Sequence, residues 1–284
     1  MIEGTAMTAR VLRLYPGAPE DIALSGAYLA HRLHEQGSSG VPFVYASFVG
    51  SLDGRIALRD PATGESRLPA GLVSGNDFRL FLELQTQADC LVTHGGYLRD
   101  LAAGRLDDVL QIGTQAATED LTQWRADNGL PPQPVVVIAS ASLDFPMPDS
   151  PARHGQRVIV ATGAEAPAER VAHWRRAGYE VLIAGAGASV EGGALVRELG
   201  SRGLCSIYLL TGPRMLDTML RDRALSRLYL TTAHSLLGGE SFHTMLSGPE
   251  LGNAGRLRLC ALHYDVGAPD DAGQFFAHFE PLPA

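Results

Sequence analysis

The sequence predicts an α/β protein with a mostly parallel central sheet, helices on both faces and antiparallel strands at its C-terminal edge. Three observations predict it. The stretch Val41 to Ala57 opens with an almost unbroken apolar and aromatic run after Pro42, which suits a strand covered on both faces. From Val135 onward, strand-like runs alternate with helical stretches, the pattern of parallel strands joined by right-handed crossovers. The last three strand candidates, Arg227 to Thr232, Leu257 to Val266 and Gln274 to Phe279, have no helix between them long enough to cross, so antiparallel pairing is expected there.

Composition narrows the function classes. A chain of 284 residues, 45% hydrophobic and 19% charged, can bury one sizeable core or two smaller ones. A net charge of -8, with the 23 Lys and Arg gathered into no stripe, argues against nucleic acid and membrane surfaces as partners. No window reaches the ~18 apolar residues that span a bilayer, and Met1 to Arg10 lacks the basic and apolar halves of a signal peptide, so a cytoplasmic location is expected. Cys90, Cys205 and Cys260 lie far apart in apolar runs and read as buried reduced thiols. Only His31 and His34 share a helical spacing, with no carboxylate or cysteine cluster beside them, so no metal site is expected.

Taken in order, residues 1 to 18 read as an irregular lead-in. Pro19 to Gln36 reads as a helix with Ile22, Leu29 and Leu33 on one side and Gly37 as its stop, packed outside the main domain or serving as a partner-binding arm. The linker Gly37 to Gly40 then separates residues 1–40 from a single domain, 41–284. The first strand of that domain ends in a polar corner, Ser51-Leu52-Asp53-Gly54, where open α/β sheets place ligands. Arg59 to Ala70 is a polar loop long enough to act as a flap. Ser74-Gly-Asn-Asp77 has the form of a capping box, and Phe78, Phe81 and Leu82 give the following helix its buried face.

A strand from Asp89 to Thr93 ends at His94-Gly95-Gly96-Tyr97, whose glycines permit close approach of a ligand or merely a turn. Leu101, Leu106, Val109, Leu110 and Ile112 suggest one helix, and Trp124 anchors a more polar stretch. Strands follow at Val135 to Ala139, Arg157 to Thr162 and Tyr179 to Ala184, the last two separated by a helix with Pro167 in its first turn and Val171 and Trp174 inward. Ser189 begins a helix carrying Leu195, Val196 and Leu199. The strand Ser206 to Leu210 leads through Thr211-Gly212-Pro213 into a helix with Met215, Leu216, Met219 and Leu220 on one face.

The ordered set Ser-Leu-Asp-Gly (51–54), Leu-Val-Ser-Gly-Asn-Asp-Phe-Arg-Leu-Phe (72–81), Gln-Ala-Asp-Cys-Leu-Val (87–92) and Ser-Leu-Leu-Gly-Gly (235–239) resembles the pyrimidine reductase family. That family is similar to the reductase half of bifunctional riboflavin biosynthesis proteins and shares the dihydrofolate reductase-like three-layer fold. The likeness runs from about residue 40 to about residue 280. It implies an NADPH-dependent reductase of a ribosylated aminopyrimidine, a small-molecule substrate and a homodimer pairing through Arg227 to Gly239 and the strands beyond. No His-x-Glu with Pro-Cys-x-x-Cys is present, so no zinc deaminase domain is fused to it.

The candidate site residues follow from the corners and the resemblance together. Asp53 is the candidate for substrate orientation or protonation, with a carboxylate that caps the following turn as the alternative. Ser47, Ser51, Ser74 and Asp77 are assigned to the substrate side. The glycine corner Gly185-Ala-Gly187 resembles a dinucleotide fingerprint, but Val190 replaces the third glycine and no acid follows at the end of the next strand. The N–H groups at the start of the Ser189 helix are then expected to hold a phosphate or ribose, or the glycines only allow tight packing. Thr211, Gly212 and Pro213, with Met215 beyond them, form the better phosphate corner. Thr93, Gly95 and Gly96 also face the cofactor, and Ser140 and Thr162 are its ribose and adenine contacts. Three departures from the family stand out: Ser47 where the bifunctional reductases carry lysine, Tyr97 in place of a threonine, and Leu210-Thr211-Gly212 in place of Glu-Gly-Gly. Ser47 and Tyr97 favour a second reading with the same chemistry and another substrate, a dihydropterin or a secondary-metabolism carbonyl. A third reading is a nucleotide-binding relative without turnover.

Overall fold

The computed structural model describes residues 9–115, 117–267 and 271–283. Of the expected lead-in, residues 1–8 lie outside the described residues. The chain opens with strands β1 (Arg10–Tyr15), β2 (Glu20–Ala23), β3 (Phe43–Ser51), β4 (Ala57–Arg59) and β5 (Ser66–Arg67). Helix α1 (Gly75–Thr86), strand β6 (Cys90–His94), helices α2 (Gly95–Ala102) and α3 (Glu119–Asp127), and strand β7 (Val135–Ala139) follow. Next come α4 (Ser150–Arg153), β8 (Val158–Thr162), α5 (Ala168–Arg176), β9 (Glu180–Ile183), α6 (Gly192–Gly200), β10 (Ser206–Leu209) and α7 (Pro213–Arg221). The chain ends with β11 (Arg227–Ala233), β12 (Phe242–His243), β13 (Leu257–Asp265) and β14 (Gln274–Pro281).

An 11-stranded sheet has the order β2-β1-β13-β14-β11-β3-β10-β6-β7-β8-β9. Every pairing from β11 across to β9 is parallel, and every pairing from β11 back to β2 is antiparallel. From β3 the chain steps outward to β6, β7, β8 and β9, then returns to insert β10 between β6 and β3 and places β11 beyond β3. Right-handed crossovers that step outward put their helices on one face, and crossovers that step back put theirs on the other. The two cores obey this rule. Leu80 and Leu84 of α1, Leu98 of α2 and Trp174 of α5 pack on Tyr45, Leu91 and Tyr208. Leu195 and Leu199 of α6 and Leu216 and Met219 of α7 pack on Val44, Ala46, Val92 and Ile207. Tyr45 and its neighbours Val44 and Ala46 thus point to opposite cores, which is why β3 is apolar at consecutive positions. The three-layer arrangement expected from the sequence is present, with the antiparallel strands at the C-terminal side.

The N-terminal expectation is corrected. Residues 10–15 form β1 on the outer edge of β13, with Leu12 opposite Tyr264, and Glu20–Ala23 pair with β1 as β2. In place of a helix over Pro19 to Gln36 there are short 3-10 turns at Leu29–His31 and Leu33–Glu35. The reason lies in α1. Its Glu83 carboxylate accepts from the backbone N–H of Gly26 at 2.6 Å and of Tyr28 at 3.0 Å, and the Gln87 side-chain oxygen accepts from Leu33 N at 2.8 Å. Those amides are satisfied by side chains instead of by a helical ladder, and Gly26 (φ 87°) and Arg32 (φ 46°) take left-handed conformations that interrupt one. Gly37 does not stop a helix either: a Cβ there would stand 2.1 Å from the Cys205 carbonyl oxygen, so the residue is small because β10 begins against it.

Other boundaries also move. Helix α2 ends at Ala102, and the apolar residues Leu106 to Ile112 form no helix: Leu110 and Ile112 are buried from an irregular segment tied down by Gln85, Gln133 and Gln156. Helix α6 begins at Gly192, three positions later than Ser189. Cys90 is fully buried, whereas Cys205 and Cys260 are only half-buried; all three are free thiols. The expected flap is a hairpin: β4 and β5 pair with each other, and β12 adds to β4 to make a small three-stranded sheet beside the polar corner. Among the described residues no group of three or more His, Cys, Asp or Glu is arranged to hold a metal, and no helix is long and apolar enough to cross a membrane.

Candidate functional site

Because β11, β3, β10, β6, β7, β8 and β9 run the same way, their carboxyl ends open along one edge of the sheet. That edge is where an open α/β sheet receives its ligand. It gathers Ser51 and Asp53, Ser235 to Gly239, Thr211 to Pro213, His94 to Gly96, Ser140 and Gly185 from distant parts of the chain.

Asp53 sits just beyond β3 with both oxygens engaged. Its carboxylate accepts from the Ser51 hydroxyl and from the backbone N–H groups of Leu237 at 3.3 Å and Gly238 at 2.9 Å, and it pairs with Arg55. The Ser51 hydroxyl, the Gly238 and Leu237 N–H groups and the Arg55 charge hold its carboxyl down at about 2. Asp53 therefore fastens the Ser235–Gly239 loop, which follows β11, to the corner after β3. A carboxyl so acidic keeps no proton at neutral pH, so the geometry favours turn and loop positioning over protonation for this residue.

A second carboxyl, Asp77, stands in the first turn of α1. Ser74 caps that helix by accepting from Asp77 N at 3.0 Å, as the sequence indicated. The cap is itself held from below: Gln274 Nε2 donates to Ser74 Oγ at 2.6 Å and to Asp265 Oδ2 at 2.8 Å, and Asn76 Nδ2 reaches the same Asp265 oxygen at 2.8 Å. Asp77 projects toward β11 and β10. Burial pushes its carboxyl up to about 6, with the Thr231 hydroxyl pulling modestly the other way. Ser47 on β3 is hydrogen-bonded to the Tyr208 hydroxyl on β10. Register places Thr231 opposite Val49 and Tyr229 opposite Ser47, so Asp77, Thr231, Tyr208 and Ser47 share the α1 face of the sheet near its carboxyl edge.

On the cofactor side the residues separate into those with open space and those without. Gly212 is open: a Cβ there would meet only His94 Nε2, at 4.0 Å, and α7 begins at the next residue with no side chain capping it. Pro213 has no N–H and Met215 N donates to Gly212 O at 3.1 Å, so the donors this corner can offer an anion are the N–H groups of Thr211, Gly212 and Arg214, which have no partner among the described residues. Met215 is half-buried against the α6–α7 core. Gly95 and Gly96 are small for internal reasons, since a Cβ at Gly95 would stand 2.9 Å from Phe145 and one at Gly96 2.7 Å from the His94 ring. Gly185 is packed in the same way, 2.2 Å from Ser189 O, while Gly187 has open space. The N–H groups expected to hold a phosphate there are taken: Ala186 N donates to Glu191, Gly192 N to Thr218 and Gly193 N to Asp222. This corner is tight packing. Thr93 and Thr162 are 1% and 0% exposed, with hydroxyls that lack partners among the described residues, so neither presents a group to the crevice. Ser140 Oγ accepts from Leu143 N at 3.0 Å and holds its own turn.

Sequence reading missed Thr231, Tyr208, Gln274 and Asp265, which lie on strands remote from α1 and carry no local motif. A cavity of about 560 Å³ lies elsewhere, lined by Phe43, Leu220, Arg223, Ser226 and Glu280 at the amino ends of β3 and β11. Its polar lining is engaged in the fold: Ser226 Oγ accepts from Val44 N at 3.1 Å and Glu280 pairs with Arg227 at 2.7 Å.

A model of the RibD C-terminal domain family matches residues 42–266. The fold is similar to that of a pyrimidine reductase-like protein from Corynebacterium diphtheriae, with a TM-score of 0.63 at 19% identity over 86% of this chain and 93% of that one. It is also similar to Acinetobacter baumannii RibD (TM-score 0.57, 17% identity), where 86% of this chain covers 58% of the longer RibD chain. The riboflavin biosynthesis reductase of Saccharomyces cerevisiae gives a TM-score of 0.56 at 14% identity, over 90% of this chain and 99% of that chain. No curated protein matches the sequence. With a family match that spans most of its length and the same fold in these reductases, the chain belongs to the RibD C-terminal domain family.

Proposed function

We propose that the protein is an NADPH-dependent reductase of a ribosylated aminopyrimidine, with Asp77 as the group that holds and delivers the proton. The observation that carries this reading is the half-buried Asp77 carboxyl in the first turn of α1, on the sheet face that holds the Ser47–Tyr208 hydroxyl pair and Thr231, where burial pushes its pKa up to about 6. When bound, the reduced nicotinamide supplies the hydride, and the protein has to orient the acceptor carbon and provide one proton. A carboxyl with a pKa near 6 is partly protonated at neutral pH and suits that task. Half-buried Ser47 offers a neutral hydroxyl to the substrate, held in place by the fully buried Tyr208 hydroxyl behind it, and the Asp53-fastened loop closes the same end. The Thr211–Pro213 corner fits an anionic cofactor by its open Gly212 and its uncapped helix start.

The test is direct. NADPH is expected to bind more tightly than NADH in a fluorescence titration, and its oxidation is expected on addition of an aminopyrimidine ribotide; equal affinities or a silent assay count against the reading. One observation favours the second reading, with a dihydropterin or a secondary-metabolism carbonyl as substrate: the position where the bifunctional reductases have lysine is Ser47, which is neutral and already paired with Tyr208.

A homodimer remains part of the proposal, with a narrower contact region than the sequence suggested. Strand β11 lies between β3 and β14, and β13 is covered by β1, so these strands are interior to the sheet and unavailable to a partner edge. The loop after β11 is available. Leu236 is 76% exposed and Leu52 is 55% exposed, and the two segments are joined by the Leu52 N to Ser235 O hydrogen bond at 2.9 Å, which makes an apolar pair on the surface. Light scattering at micromolar concentration should give the mass of two chains, reduced to one by Leu236→Asp; a monomeric wild type removes the proposal.

A further inference from the structure

Gln274 opens β14, opposite Ala233 of β11 on one side and Asp265 of β13 on the other. Its side chain is fully buried. Nε2 uses both hydrogens, donating to Ser74 Oγ at 2.6 Å and to Asp265 Oδ2 at 2.8 Å. Oε1 is equally shut from solvent and has no partner among the described residues. An unpaired buried acceptor destabilises the fold, and an apolar side chain of the same shape would remove that cost. What the amide supplies instead is a pair of donors at one place. Ser74 Oγ is fixed by Gln274 while it accepts from Asp77 N at 3.0 Å, so a single oxygen joins β14 to the residue that carries the candidate proton. Asn76 Nδ2 reaches the same Asp265 oxygen at 2.8 Å, which ties this turn of α1 to β13 as well.

We propose that Gln274 is a positioning residue for Asp77: from β14 it locks the first turn of α1 through Ser74 and so holds the Asp77 carboxyl against Thr231 on the sheet. This deepens, and rests on, the reading of Asp77 as the proton-holding group. No charge sets the acidity of Asp77; burial raises it and the Thr231 hydroxyl opposes. Tyr208 on β10 and Tyr28 from the segment before β3 are the ionisable groups near enough to feel its charge, and burial pushes both hydroxyls up, so they stay neutral. Asp265, on the other side of the cap, has its Oδ2 occupied by Asn76 and Gln274. The setting of Asp77 therefore depends on how closely the first turn of α1 is drawn onto the sheet. With Ser74 released, that turn is free to lift, water reaches the carboxyl, and its pKa falls back toward the ordinary value.

The deciding variant is Gln274→Met, which keeps length and volume and removes both donors. The Asp77 carboxyl is titrated by carbon-13 NMR in wild type and variant, and kcat/KM for NADPH oxidation with an aminopyrimidine ribotide is followed over the same pH range. The variant's midpoint is expected about one unit below the wild-type value, with kcat/KM at neutral pH about tenfold lower because about tenfold less of the carboxyl is protonated there. Below both midpoints the two proteins should converge. Asn76→Ala releases Asp265 but leaves the Gln274–Ser74 bond, and should change neither readout; a merely structural clamp would make the two variants alike. Ser74→Ala breaks the same bond from the helix side and should reproduce the shift, which decides the matter should Gln274→Met not fold. An unchanged Asp77 titration in the folded variant overturns the proposal. If the titration moves while kcat/KM does not, Gln274 still positions Asp77 and it is proton delivery by Asp77 that fails. If wild type does not oxidise NADPH with that substrate, the reductase reading fails and the titration alone decides on Gln274.

Discussion

Asp77→Asn is expected to lower turnover by ~10²-fold or more while making the protein more stable at neutral pH. Both halves follow from the same carboxyl. Asparagine keeps the shape and hydrogen-bonding reach but removes the ionisable group, and loss of a general acid costs that order of rate. In the folded protein the carboxyl is raised from its ordinary 3.8 to about 6, so the native state binds the proton more tightly than the unfolded chain. The folded state therefore carries no penalty below the ordinary value. The penalty grows as pH rises through the interval and is complete above about 6, where it reaches roughly 3 kcal/mol for a shift of this size. Removing the charge should relieve most of that cost, seen as a higher melting temperature at neutral pH and none in acid. The wild-type kcat/KM should fall as pH rises through about 6, and the variant's should be flat there. A variant with full turnover would show that Asp77 is a structural carboxyl, whatever its stability.

Asp53→Asn is expected to fail differently. With the carboxyl held at about 2 by Ser51, Gly238, Leu237 and Arg55, the residue is an anion throughout the working range. Its contribution to stability is present above the ordinary carboxylate value and is lost as pH falls through that value toward about 2. Asparagine offers one acceptor where two are used, so an N–H of the Ser235–Gly239 loop is left facing a donor. The melting temperature should fall, amide exchange at Leu237 and Gly238 should quicken, and NADPH affinity should hardly change. Turnover should drop because the loop is loosened, with the pH at which activity declines left where Asp77 sets it. A loss of ~10²-fold or more with unchanged stability and exchange would return the proton-transfer role to Asp53.

Much of the architecture was legible because it is written locally. The apolar run of β3, the evenly spaced strands from Val135, Ser74 at a helix start and the Gly212-Pro213 entry to α7 each depend on a few adjacent residues, and each is where the sequence placed it. The N-terminal segment was misread because Ile22, Leu29 and Leu33 mimic a helical stripe, while the groups that decide its conformation, Glu83 and Gln87, lie more than fifty positions away. The site divides on the same line. Asp53 and Asp77 stood out from short motifs, but their roles are set by distant partners. Gly238 N lies 185 positions from Asp53, and Gln274 supports the Ser74 cap from 200 positions away. No local pattern encodes such pairings. For the glycines at 95, 96 and 185 the sequence left both ligand approach and a turn or tight packing open, and a Cβ at each would meet the protein's own atoms.

Transfer of deuterium tests the central claim most directly. The protein is incubated with a ribosylated aminopyrimidine and NADPH labelled at the transferable position of the nicotinamide ring, and the product is analysed by mass spectrometry. A nicotinamide-dependent reductase should yield a reduced product that carries the label, with NADPH consumed in equal amount. Intact NADPH and unreduced substrate, or a product without the label, would contradict it.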